Sequence, residues 1–352
     1  MKTFLRTIPL FIVAMVIVYA LPVFNSATQT STNKNQQKTN ELVAKKTKTG
    51  MVQKTVPVDG LADYIGISID LFTQQFGEPV RKDETAYDFQ WWIYNQKDKD
   101  YLQVGVKDGK IVTIFALGTN LDVAPFKIGM TIDSIYSTAT LYPNFEVEYN
   151  EDTYELELSE SDMNNHPLIA FDNGTFAILI LDQFTNKVIG IRYLDVSILM
   201  YLNLYEVVSK TPTPSVSQDN LDWNAVNQGN QQEAFEIINV LRRRNKVPIL
   251  EMNPDLNALA SQIFATYTKP LEEATTSNTL SEKKIGEFLS KNQSDVKELQ
   301  PIYFNQTTDV TWAIGSLFSI ESQRELLMSK QFNSIGMGYQ KHEALLLLNS
   351  DL

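Results

Sequence analysis

Residues 65–70 read Ile65-Gly66-Ile67-Ser68-Ile69-Asp70, and 63 residues later the pattern returns as Ile128-Gly129-Met130-Thr131-Ile132-Asp133. In each copy a hydroxyl residue, Ser68 or Thr131, stands where a helix N-cap accepts a backbone N–H. An aspartate two residues on falls in the first turn, against the positive end of the helix dipole. Gly77-Glu78-Pro79 stops the first predicted helix, and Tyr142-Pro143 bounds the second. Strands follow both. Residues 87–94 are rich in aromatics, and residues 102–106 and 111–117 flank Lys107-Asp108-Gly109-Lys110, whose Asp-Gly pair is a tight-hairpin signal. Residues 176–181 and 188–194 flank residues 182–187 in the same manner. The fold class is therefore α+β, with a duplicated module over residues 57–208 that closes in a helix around residues 196–207.

Upstream, residues 8–24 form an uncharged apolar run behind Lys2 and Arg6, the pattern of a signal peptide or a single-span anchor. Val18-Tyr19-Ala20 has the form of a cleavage site, but Leu21-Pro22 follows it, which favours an uncleaved anchor over residues 1–24. Two positive charges before the span, against Lys34, Lys38 and the opposing Glu41 after it, favour export by a small margin. Residues 25–56 are rich in Thr, Asn, Gln, Ser and Lys, the composition of a solvated tether that cannot repay its ordering entropy. The expected location is the extracytoplasmic face of a cell membrane, with the protein either single-pass or secreted.

A chain of 352 residues is long for one core and suggests two folded domains plus the N-terminal extras. Of the net charge of −12, the six lysines and one glutamate of residues 25–56 contribute +5 and residues 1–24 contribute +2, which leaves −19 for the folded part. Such an acidic body excludes a nucleic-acid binder, which needs a basic footprint. Cysteine is absent, so disulfides, thiol catalysis, Cys-ligated zinc and a lipid-modified cysteine anchor are all excluded.

Lys210-Thr211-Pro212-Thr213-Pro214-Ser215 marks a linker over residues 209–229, with little secondary structure expected before Asn230. Asn230 with Glu233 has the spacing of a capping box, and Ala234, Ile237, Ile238 and Leu241 fall on one helical face that ends in Arg242-Arg243-Arg244. Three arginines suit a helix C-terminus. Asn253 then caps a helix with Pro254 in its first position and Leu256, Leu259, Ala260 and Ile263 on one face.

This order, a helix with Ile-Asn-x-x-Arg, a short Pro-x-Leu segment and a helix with Leu-x-x-x-Ala, resembles the start of a CAP superfamily (SCP/PR1-like) domain. Trp312 to Ser319, Gln323-Arg324-Glu325-Leu326-Leu327 and the Gly336-Met337-Gly338 strand extend the resemblance. The duplicated module is similar to the CAP-associated N-terminal domain found before such modules in Firmicutes. The resemblance implies an α-β-α sandwich over residues 230–352 and a central cavity that in typical members holds two histidines and acidic groups. Here the first histidine's place falls on Ile263 and the second's on Gln323, one residue before Arg324. Glu287 in Gly286-Glu287 and Glu298 compete for the family's Gly-Glu-Asn glutamate. The cavity is thus read as degenerate, with no metal and no cofactor.

Trp92 and Tyr94 alternate with Phe89, Trp91 and Ile93, so they lie on the opposite strand face, as a sugar-stacking platform or under a covering helix. His166, before Pro167, reads as a loop histidine. The expected function is a non-catalytic binding or scaffolding protein of the cell envelope, held in the membrane through residues 8–24, with a cell-wall polymer or another envelope protein as partner. The alternatives are an envelope hydrolase, using Glu155, Glu157, Glu160 and Asp162 or Glu272 and Glu273, and a carrier of an apolar ligand.

Overall fold

The computed structural model describes residues 53–267, 280–292, 299–305 and 308–350. The N-terminal run, most of the tether, Glu272, Glu273 and Glu298 lie outside the described residues. Val56 lies inside them and belongs to the body: it is buried, and its N–H donates to the carbonyl of Ala170 at 2.9 Å, so the tether ends before residue 56.

The two repeats are built alike at the level of single hydrogen bonds. Helices α1 (Ile69–Phe76) and α2 (Ile132–Thr138) are capped by Ser68 and Thr131, whose side chains accept from Asp70 and Ser134 N–H. Just before them, Gly66 and Gly129 take φ of 85° and 87°, a left-handed region that a side chain would disfavour, and each donates its N–H at 2.7 Å, to Ile111 and Val188 respectively. Each helix start is thereby docked on a hairpin. The first hairpin joins β3 (Leu102–Lys107) to β4 (Lys110–Ala116) through Asp108 and Gly109, both at positive φ. The second joins β8 (Phe176–Asp182) to β9 (Lys187–Leu194). Antiparallel pairing of β4 with β9 (Thr113 opposite Leu194, Ala116 opposite Ile191) fuses the repeats. With β1 (Arg81–Glu84), β2 (Gln90–Tyr94) and β7 (Leu168–Ala170), the result is a seven-stranded sheet in the order β1-β2-β3-β4-β9-β8-β7.

Both sheet faces are apolar. One is covered by α1 and α2, where Phe72 and Ile135 pack with Val104, Ile114 and Ile191. The other meets the C-terminal half. A second sheet, β10-β6-β5, is formed by β5 (Asn144–Tyr149), β6 (Asp152–Glu157) and β10 (Glu206–Val208). It flanks α3 (Glu160–Asn165), which carries a complete capping box between Ser159 and Asp162. The expected closing helix is shorter than predicted: α4 (Val196–Leu202) ends at Asn203 in the left-handed conformation, and β10 follows.

The C-terminal half contains α5 (Trp223–Arg244), β11 (Glu251–Met252), α6 (Pro254–Tyr267), α7 (Glu282–Asn292), β12 (Gln300–Phe304), α8 (Val310–Leu317), α9 (Glu321–Met328), β13 (Ser334–Gln340) and β14 (Glu343–Asn349). The sheet order is β11-β13-β14-β12, parallel at β11 and antiparallel elsewhere. Along β14, Leu345 and Leu347 pack under α6 and α7, whereas Leu346 and Leu348 pack under α5 and α8, so this strand is buried on both faces as an α-β-α sandwich requires. The Gly-x-Gly of β13 lets α6 lie on the strand: a Cβ on Gly336 would sit 2.1 Å from that of Leu256, and one on Gly338 2.9 Å from that of Ala260.

The linker expectation needs correction. Helix α5 begins at Trp223 with Asp222 as its cap, so residues 223–229 are helical and Asn230 and Glu233 are not a capping box but buried residues of the inward face. The reason is tertiary. Gly229 brings the helix backbone against β1, where a Cβ would lie 3.0 Å from the Asp83 Cβ, and this contact secures the turns before Asn230. Asn239 of the Ile-Asn-x-x-Arg motif exchanges both its amide groups with Leu250, at 2.8 and 3.0 Å, and pins the chain leading into β11.

Candidate functional site

The positions that the resemblance assigns to the cavity do not converge. Ile263 is buried beside Phe264, Ile285 and Leu347 on the α6/α7 side of the sheet. Glu287 is exposed on α7, 3.9 Å from Lys283 one turn earlier. Gln323 lies on α9, on the opposite side. Among the described residues no group of three or more His, Asp or Glu side chains is placed to hold a metal ion. On the assignment the resemblance implies, an alkyl group and an amide would stand at the imidazole positions and Glu287 faces solvent, so these described residues do not make a donor set for a divalent ion.

Gln323 instead faces a cleft of about 350 Å³ between the two halves of the molecule. Its walls are Tyr87, the α4 end at residues 202–204, Tyr303 to Asn305 after β12, Trp312 and Ser316 of α8, and Ile320. Among the described residues no charged side chain lines it. The Gln323 Oε1 is buried without a protein partner. Trp312 forms the inner wall because it is wedged between His166, with ring centroids 4.2 Å apart, and Tyr205, at 5.9 Å and edge-on. His166 lies in the short loop between α3 and β7, as expected, but it is buried there. It caps the C-terminus of α3, its carbonyl accepts from the Tyr205 hydroxyl at 2.7 Å, and burial pulls its imidazole pKa down to about 3. It is neutral under ordinary conditions. Gly315 makes this packing possible, since a Cβ there would meet Ile180 Cγ2 at 2.6 Å.

Trp92 and Tyr94 do not form an open platform. Tyr94 is buried, with Phe72 of α1 edge-on at 5.7 Å, and the half-buried Trp92 carries the Lys82 ammonium 3.5 Å above its ring. The covering helix wins here because α1 is docked on the hairpin next to this strand. Glu155 and Glu157 lie on β6 with neighbours of opposite orientation buried, and Asp162 is used in the α3 capping box. No carboxylate pair in that cluster faces the cleft.

The seam between the halves carries the polar chemistry that pattern reading missed. Arg192 of β9 pairs with Asp309, the α8 cap, at 2.8 Å, with both side chains almost fully buried and the guanidinium 4.5 Å over Trp91. Arg81 of β1 pairs with Asp83 and Glu236. The three arginines ending α5 do more than meet the dipole: Arg243 pairs with Asp98, Arg244 donates to the carbonyls of Ile189 and Leu117, and Arg242 serves the C-terminal half itself. Arg324 donates to both oxygens of Asp182 at 2.7 Å and lies over Phe184. Arg324→Ala is expected to lower stability by about 1–3 kcal/mol, because it leaves a buried carboxylate short of its bidentate partner. A urea titration of the full chain measures this as a lower midpoint at unchanged slope.

The duplicated α+β module is sealed onto an α-β-α sandwich, the fold that solved SCP-domain and cysteine-rich secretory proteins share. The family model described as CAP-associated N-terminal matches residues 65–205. An extracellular protein containing an SCP domain from Bacillus anthracis str. Ames superposes with a TM-score of 0.72 at 23% identity, covering 91% of this chain and 100% of that one. A cysteine-rich secretory protein from Staphylococcus aureus subsp. aureus Mu50 superposes with a TM-score of 0.74 at 24% identity, over 85% and 95% of the two chains. In sequence, the uncharacterized membrane protein YlbC of Bacillus subtilis (strain 168) is 27% identical over 290 residues, 81% of this chain and 82% of that protein.

Proposed function

We propose that this protein is a non-catalytic binding or scaffolding module displayed on the outer face of the cell membrane, tethered through residues 8–24. The observation that carries this reading is the cleft itself, in which an amide and aromatic walls stand where a catalytic or metal-binding member would need imidazoles and carboxylates. The membrane description of the Bacillus subtilis relative and the extracellular description of the Bacillus anthracis structure support the location. A neutral cleft with a wall of Tyr87, Tyr303, Phe304 and Trp312 suits an uncharged, partly apolar group of a wall polymer or of another envelope protein. A hydrolase would need an acid and a base facing one bond, and among the described residues the cleft lining supplies neither.

Thermal unfolding of the full chain with zinc or calcium at about millimolar concentration tests the reading, since an ion stabilises only when its concentration exceeds its Kd. The expected melting temperature is unchanged. A rise of several degrees that disappears in Glu287→Gln or Glu298→Gln would restore the metal-site and hydrolase reading.

A further inference from the structure

Glu233 lies in the middle of α5, 1% exposed, and neither of its carboxyl oxygens has a protein hydrogen-bond partner. It sits where both halves of the molecule meet, so every element around it contributes. Its own helix supplies Glu236 and Asn230. Arg81 and Asp83 face it from β1, Tyr101 from the residue before β3, Asp309 from the cap of α8, and Tyr339 from β13. Four carboxyl groups thus share this seam with two arginines. Both arginines are already engaged: Arg81 holds Asp83 at 2.8 Å and Glu236 at 2.7 Å, while Arg192 holds Asp309 at 2.8 Å and also Thr113 and Thr311. Among the described residues neither arginine hydrogen-bonds Glu233, which feels Arg81 only at a distance, and the Arg192 Nη2 is likewise buried without a partner. A buried carboxylate without a counter-ion costs more than the seam can return, whereas a carboxylic acid is a neutral group of ordinary burial cost.

We propose that the Glu233 carboxyl is a protonation switch for the domain seam, which is closed while the carboxyl holds its proton and weakened when the proton leaves. Ionisation would place a negative charge beside Asp83, Asp309 and Glu236, all acidic, and between elements from opposite halves. Burial, reinforced by Asp83 and Asp309, holds the Glu233 carboxyl well above the usual carboxylate range. Burial also raises Asp83, against the pull of Arg81, so the nearest second acid acts with the same sign. A folded-state pKa above the unfolded value means that the stabilisation is complete below the unfolded value of 4.5 and is lost as pH rises through the folded one. His166, away from this group, works with the opposite sign and acts on the acid side, below its ordinary 6.5. The alkaline limb therefore reports on the carboxyl cluster.

The test compares full-length wild type with Glu233→Gln, which keeps the shape and removes the titration. Melting temperature and hydrogen exchange of seam amides in α5 and β1 are followed from about pH 5 to about pH 9. Wild type is expected to lose several degrees and seam protection toward the alkaline end, while Glu233→Gln stays flat there and melts higher than wild type at the top of the range. Superposable profiles for the two proteins would overturn the proposal, and so would a variant that is uniformly less stable with the wild-type slope. Should Glu233→Gln fail to fold, the infrared spectrum of wild type decides. A protonated-carboxyl band persisting at about pH 7 supports the switch, and its absence refutes it.

Discussion

Asp309→Ala is expected to destabilise the protein by about 4–6 kcal/mol, the largest single-residue effect in the molecule. Two losses combine. The Arg192 guanidinium, 2% exposed, loses its carboxylate at 2.8 Å and is left as an uncompensated charge between the halves. Helix α8 also loses its cap, because the other Asp309 oxygen accepts the Trp312 N–H at 2.9 Å and the Thr311 hydroxyl at 2.6 Å. Asp309→Asn separates the two, since an amide oxygen still caps the helix but cannot neutralise the guanidinium. The double replacement Asp309→Ala with Arg192→Met is expected to recover much of the loss, because an apolar pair avoids burying the charge at all. Urea denaturation of wild type, Asp309→Ala, Arg192→Met and the double variant measures the coupling. A single-variant loss under about 1 kcal/mol would show that the seam tolerates the bare guanidinium through relaxation or hydration.

Arg242→Ala is expected to cost about 3–5 kcal/mol by a different route, within the C-terminal half. The guanidinium, which has no acidic partner among the described residues, donates to the carbonyls of Pro248, Leu327 and Phe332 at 2.7, 2.6 and 3.1 Å. Those carbonyls belong to three separate chain segments, before β11, in α9 and before β13, so one side chain ties together what the sequence separates. Burial lowers the Arg242 pKa to about 10, which still leaves the group charged at neutral pH. Arg242→Lys should rescue little, because an ammonium on a flexible stem cannot span three diverging acceptors as a planar fork does. Equilibrium unfolding of both variants checks this, and wild-type stability in Arg242→Lys would show that charge alone suffices.

These two arginines mark the limit of pattern reading. Arg242 was legible as part of Ile-Asn-x-x-Arg, although its work on three carbonyls was not. Arg192, in an apolar strand, carried no signal pointing to Asp309, which lies 117 residues away. Strands β5 and β6 did carry a signal that went unused: Phe145 and Val147, then Tyr154 and Leu156, alternate with glutamates and are buried in that register. Glu233 shows the opposite failure. An Asn and a Glu three residues apart have the letters of a capping box whether they open a helix or lie buried within one, and only the neighbour at Gly229 distinguishes the cases.

By itself the sequence determined what local forces determine. The doubled Gly-x-[Ser/Thr]-x-Asp segments, the Asp108-Gly109 turn, the Pro254 helix start and the apolar run of β14 each select a conformation through steric limits, capping or burial within a few residues, and together they specify both domains. The tertiary structure decided what depends on which face meets which. It turned Tyr94 inward, placed Ile263 and Gln323 on opposite sides of one sheet, wedged Trp312 against His166, and left the Glu233 carboxyl buried without a hydrogen-bond partner. The physical reason is that desolvation and ion pairing act through space, between groups far apart along the chain, and their sign is set only when the seam closes.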